Sequence, residues 1–175
     1  DSIFDTFRRN FSDFPNNYLI YGKFRKWDSR RFWLEDIQHL SADSIMRIEN
    51  DEHHPYNFIY LFSDTSLNQL FSNAEKRHLS QKASNLNEKK IFIRNENFEI
   101  ANDINTIKGY FFEATEPIFD SKGLFAFIDL YVFHNDFHYT NGIDSKQLLG
   151  TICIVYQKQS SGVWKKLKVQ SLLTL

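Results

Sequence analysis

Gly109-Tyr-Phe-Phe-Glu-Ala114, Leu124-Phe-Ala-Phe-Ile-Asp-Leu-Tyr-Val-Phe133, Leu149-Gly-Thr-Ile-Cys-Ile-Val-Tyr-Gln-Lys158 and Val163-Trp-Lys-Lys-Leu-Lys-Val-Gln-Ser-Leu-Leu173 are four apolar runs of strand length. Between them stand Glu116-Pro117, Asp120-Ser-Lys-Gly123, a polar loop around Asn141-Gly142, and Ser160-Ser-Gly162. Each connection is too short to hold a crossover helix, so the spacing predicts an antiparallel meander.

Upstream, the pattern changes from period two to helical. Phe4, Phe7, Phe11 and Phe14 fall on one face of an opening helix over 2–14, with Ser2 as its cap and Pro15 ending it. Residues 18–34 alternate aromatic and basic side chains around Asp28-Ser29, which predicts two strands joined by a turn. A polar, acidic stretch follows and includes a short helix near 44–48. Residues 56–62 have strand length. From Ser63 or Thr65 a long helix runs to about Asn85, with Leu67, Leu70, Phe71, Ala74 and His78 along its apolar stripe. Residues 90–100 give a further strand. With no linker and no internal repeat, the chain reads as one α+β domain over 1–175: N-terminal helices packed on a C-terminal antiparallel sheet.

The 175 residues include 18 Phe and 8 Tyr, enough ring area for a thick aromatic core. Twenty-one basic and 22 acidic residues leave a formal charge of −1, which gives no global attraction to nucleic acid or to an anionic membrane. No run has the length and apolarity of a transmembrane segment. Cys153 is the only cysteine, which excludes an internal disulfide and a cysteine-based zinc site; its apolar setting predicts a buried, inert thiol.

Three clusters carry candidate chemistry. His134-Asn-Asp136-Phe-His138 holds three potential ligands in five residues and is the best local candidate for a binding site. It leaves a β-patterned run for a loop, where such spacing does not fix a shared face, so no metal centre is assigned. Asp51-Glu-His53-His54 precedes Pro55 and reads as a solvated turn, since adjacent histidines point apart. Lys23-Phe-Arg-Lys-Trp27 and Arg30-Arg-Phe-Trp33 interleave cations with rings, as a single-stranded nucleic-acid platform would. The balanced total charge favours instead an amphipathic hairpin, rings inward and charges in water. Asp129, with Phe127 and Tyr131 on one face by period two, is expected to face solvent; the alternative is a buried carboxylate with a raised pKa.

Two resemblances add to this. Glu116-Pro-Ile-Phe119, Asp120-Ser-Lys-Gly-Leu-Phe-Ala126, Val155-Tyr-Gln-Lys158 and Ser161-Gly-Val-Trp164-Lys-Lys, over about the last 60 residues, resemble a group of uncharacterised, mostly exported proteins of Bacteroidetes. In that group a Pro-Ile-Phe strand, a charged turn and a Lys-x-x-x-Gly-x-Trp-Lys hairpin recur. The resemblance implies a bacterial protein of the periplasm or cell envelope, with the cytoplasm the alternative, and carries no activity. The chain opens at Asp1 without an initiator Met, which fits either a removed leader or a trimmed chain. Helices followed by a closing sheet also resemble the cone-shaped fold of the nuclear transport factor 2 type, an alternative architecture.

No Gly-rich phosphate loop, Gly-x-Ser-x-Gly element or Ser–His–Asp order is present. The chain therefore reads as a non-enzymatic domain that binds a small ligand or a protein, with no cofactor and no nucleic acid. The alternatives are an enzyme with a pocket around His134, Asp136 and His138, and a nucleic-acid binder acting through 23–33.

Overall fold

A computed structural model describes residues 4–15, 18–32, 60–86, 89–90, 98–136 and 145–173. The expected meander forms as strands β3 (Gly109–Ala114), β5 (Phe125–Asp136), β6 (Ser145–Lys158) and β7 (Trp164–Leu173), each antiparallel to the next. The short β4 (Ile118–Phe119) lies in the β3–β5 connection and pairs with β5 at Phe127 and Ala126. Two more strands, β1 (Tyr18–Tyr21) and β2 (Phe98–Ala101), extend the sheet on its other side. The order is β2-β1-β3-β5-β6-β7, and β1 runs parallel to both its neighbours. The chain is thus α+β with a large mixed sheet that outweighs its few helices.

Period two assigns the side chains of β5 to two faces. Phe127, Asp129, Tyr131 and Phe133 point one way, Leu130, Val132 and His134 the other. The second face is covered by α1 (Asp5–Asn10), with Phe4, Phe7 and Phe14 buried against Phe112, Val132 and Ile152. The helix is shorter than the sequence pattern suggests: it stops at Asn10, and Phe11 is already extended. The expected phenylalanine stack survives that stop, since Phe7 lies within 6.3 Å of Phe11 and 5.7 Å of Phe14. Gly150 lets Phe7 lie directly on β6, because a Cβ there would collide with the Leu172 carbonyl oxygen and meet the Phe7 ring at 2.8 Å.

The first face is covered by Trp27, Phe32, Leu61, Phe62 and two further helices, α2 (Thr65–Leu70) and α3 (Asn73–Asn85). The single long helix expected here is divided. Buried Phe71 takes an extended backbone, and Ser72 restarts the helix by accepting the Glu75 N–H at 3.2 Å. The stripe shifts with the break: Leu70 and Ala74 are exposed, His78 is half-buried, and Leu79 and Ala83 face the core. Asp64, not Ser63 or Thr65, caps α2 by accepting the Leu67 N–H at 3.1 Å.

Other expectations change in the same way. Leu61–Ser63 is a 3₁₀ turn rather than the end of a strand, with Leu61 and Phe62 fully buried. The strand expected over 90–100 is confined, among the described residues, to β2. Within the expected 18–34 hairpin, the described residues 18–32 do not pair with one another: β1 pairs with distant strands, and Ser29–Phe32 is a 3₁₀ turn. Residues 44–48, 51–55 and 56–59 lie outside the described residues.

Asp129 does not face solvent. It is completely buried and its Oδ2 accepts from the Arg31 Nε at 2.5 Å, while Arg31 is itself only 2% exposed. Period two placed it correctly beside Phe127 and Tyr131; that face is the one the helices cover.

The α2 cap yields a pH dependence. Asp64 also pairs with the Lys168 ammonium at 2.5 Å. That bond, then those from Ser66 and the Leu67 N–H, hold its carboxyl well below the ordinary value of 3.8. The folded value lies below the unfolded one, so the stabilisation is present above the unfolded value and is lost as pH falls through the folded one. The difference in urea midpoint between the parent protein and Asp64→Ala is expected to be constant near neutrality and to shrink below about pH 4. A difference that persists unchanged into acid would contradict the assignment.

Candidate functional site

After β1 the chain continues alongside β3 in near-strand conformation. Gly22 N–H donates to the Ala101 carbonyl at 2.8 Å, Phe24 N–H to Lys89 at 2.7 Å and Arg25 N–H to Ala114 at 2.7 Å. Alternation then separates the side chains. Phe24 packs with the cluster under α1, whereas Arg25 crosses the opposite face, its guanidinium 4.5 Å from the Tyr131 ring centre and 5.7 Å from Phe133. Trp27, 3% exposed, ends the stretch by donating its indole N–H to the Glu116 carbonyl at 2.6 Å.

Arg25 meets Glu113 there. Glu113 lies opposite Tyr131 in the β3–β5 register and is 6% exposed. Its Oε2 accepts from Arg25 Nη1 at 2.7 Å, and its Oε1 accepts from the Lys146 ammonium. Lys146, at the start of β6, lies 3.9 Å from the Phe133 ring centre and 5.5 Å from Phe111. Two cations thus bracket one carboxylate over a floor of rings, where the negative ring faces favour them.

Together with Tyr21, Lys23, Phe24 and Lys26, these three residues wall a cavity of about 440 Å³. Four cations face one carboxylate, and both its oxygens are already engaged. Among the described residues Lys23 and Lys26 have no ion pair, so their charge is directed at whatever enters. With four cations to one carboxylate, what the described walls can do is attract and hold negative charge. A second cavity, about 220 Å³, opens on the other face, where Phe4, Ile20, Phe112, Ile128, Leu130 and Ile154 give it an apolar lining.

Of the sequence cluster at 134–138, the described residues include His134, Asn135 and Asp136. His134 lies within β5, half-buried, its ring edge-on to Tyr110 at 4.6 Å, and Asp136 is the last residue of the strand, paired with Ser145. His138 lies outside the described residues, as do His39, His53 and His54. Beside His134, burial and then the bond donated to Asp13 at 2.6 Å push the Tyr110 hydroxyl up. Among the described residues no group of three His, Cys, Asp or Glu side chains is placed to hold a metal.

Cys153 is fully buried on β6, opposite Asp129 in register. Burial first, and then the Asp129 charge, raise its thiol well above the ordinary range, which suppresses the reactive thiolate. The basic half of the 440 Å³ cavity was visible as the Lys23-Phe-Arg-Lys run, but Glu113 and Lys146 had no local mark: they lie in ordinary strand sequence, 88 and 33 residues from their partners. No protein-family model matches the chain, and no curated protein or solved structure matches it significantly.

Glu113→Gln is expected to destabilise the fold by about 1–2 kcal/mol, since two charge-assisted bonds weaken while both cations retain some solvent. Urea unfolding checks this. An unchanged midpoint would mean that Arg25 and Lys146 do not depend on the carboxylate.

Proposed function

We propose that this is a binding domain for a small, multiply charged anion, taken up in the cavity between Lys23, Arg25, Lys26 and Lys146. The observation that carries the reading is the excess of cations over one already saturated carboxylate in a concave site. A volume of about 440 Å³ suits a compact organic anion bearing phosphate or carboxylate groups. Arg25 keeps donors beyond the one given to Glu113 and supplies a planar fork; the lysines act as point charges. Glu113 holds two of the cations in place before the ligand arrives, which lowers the ordering cost of binding. Bacterial origin and a place in the periplasm or envelope belong to the same proposal and rest on the resemblance carried by 116–166.

The test is a thermal-shift titration with pyrophosphate and citrate on the parent protein, Lys23→Glu/Lys26→Glu and His134→Ala. A ligand that binds only the folded state raises the melting temperature with its concentration. The expected result is a rise for the parent and for His134→Ala, and none for the double variant. Silence with both anions would overturn the reading. A rise lost only in His134→Ala would move the site to the 134–138 cluster. Much tighter, steeply salt-dependent retention of a single-stranded oligonucleotide would replace it with nucleic-acid binding through 23–33.

A further inference from the structure

Two turns meet at one end of the sheet. The β4–β5 turn runs through Asp120, Gly123 and Leu124, and the β6–β7 turn through Gln159, Gly162 and Val163. They are adjacent because Lys158 N–H donates to the Leu124 carbonyl at 2.8 Å, and because Phe119 and Trp164 bring their rings to 5.7 Å. Both tips repeat one device: a glycine at positive φ (65° at Gly123, 81° at Gly162) followed directly by an apolar residue. A Cβ on either glycine would meet nothing within 4 Å, so both tips stand clear of the body.

The apolar residues here are unusually uncovered. Val163 is 64% exposed, Leu124 45%, Phe119 42% and Trp164 37%, and these are four of the six large apolar side chains found exposed among the described residues. Lysines collar them. Lys82 donates to the Phe119 carbonyl at 2.8 Å, Lys158 reaches over the Trp164 ring at 5.9 Å, and Lys122 and Lys165 are exposed beside the tips. The nearby carboxylates are engaged inward. Asp120 accepts the Leu124 and Phe125 N–H groups at 2.6 and 2.7 Å, and Glu75 accepts from the Ser121 backbone N–H at 2.7 Å.

We infer that this end of the sheet docks on an anionic lipid surface, with Leu124 and Val163 entering the headgroup boundary and Trp164 and Phe119 lying at its level. Lysines on an edge strand alone would guard against strand pairing. That role leaves the two apolar tips unexplained, since neither Leu124 nor Val163 lies within a strand. A convex pair of apolar tips suits a fluid interface, aromatic rings favour its depth, and the collar matches its charge. The balanced total charge conceals this local excess. The proposed attachment is peripheral; no helix among the described residues is long and apolar enough to cross a membrane.

The test is flotation of the full chain with phosphatidylserine-containing vesicles and with vesicles of phosphatidylcholine alone. The parent protein is expected to float with the anionic vesicles, less so as salt rises. Leu124→Asp/Val163→Asp should lose about tenfold or more of this partition while staying folded, with only a small fall in melting temperature, because Val163 is mostly and Leu124 nearly half in water. Absence of flotation at low salt would overturn the inference. So would equal flotation of the double variant, which would reduce the effect to surface charge. A concentration-dependent dimer that dissociates in the double variant, without vesicle binding, would overturn it in favour of a second copy on the same patch.

Discussion

The buried pair of Arg31 and Asp129 holds the two halves of the molecule in register. A guanidinium keeps its charge at any ordinary pH, so burying Arg31 to 2% exposure is tolerable only beside a matching carboxylate. Burial works against the Arg31 charge, and Asp129, with smaller contributions from Tyr131 and Cys153, more than offsets it. On the acid side, burial raises the Asp129 carboxyl while Arg31 pulls it back. Through this pair the 3₁₀ turn at Ser29–Phe32 is pinned to the middle of β5. Trp27 and Phe32 follow it into the core, where Phe32 stands edge-on to Phe127 at 5.6 Å.

Asp129 also occupies a break in the sheet. β3 pairs with β5 from Leu130 onward and β4 from Phe127 back, which leaves Asp129 between them. Thr115 bridges the gap, donating its N–H to the Asp129 carbonyl at 2.9 Å and accepting the Asp129 N–H on its hydroxyl at 2.9 Å. Arg25 pairs with Thr115 on the other side. The anchor, the sheet break and the cation-lined cavity are therefore consecutive along one short path. Because Arg31 is fixed, Arg25, six positions before it, is held over the Tyr131 and Phe133 rings.

Legibility in the sequence followed the range of each interaction. The meander is built from neighbouring runs, so period-two patterning and turn residues such as Gly123 and Gly162 were sufficient to find it. Residues 18–34 fit a hairpin equally well by local pattern, but β1 pairs its backbone with Phe98–Ala101, eighty residues away. Asp129 was placed on the right face and given the wrong environment, because its burial depends on Arg31, 98 residues distant. The division of 65–85 into two helices turned on Phe71 being drawn into the core, a tertiary effect that helical spacing cannot register. The cavity was half legible for the same reason: Lys23, Arg25 and Lys26 are contiguous, Glu113 and Lys146 are not.

The most direct measurement is a double-mutant cycle on the anchor, with Arg31→Met, Asp129→Leu and their combination followed by urea unfolding. If the pair organises the fold, each single change costs about 3–5 kcal/mol by stranding a buried charge, and the double variant recovers much of that. Single effects that add to within about 0.5 kcal/mol would show that the two side chains do not depend on each other, and would contradict the account.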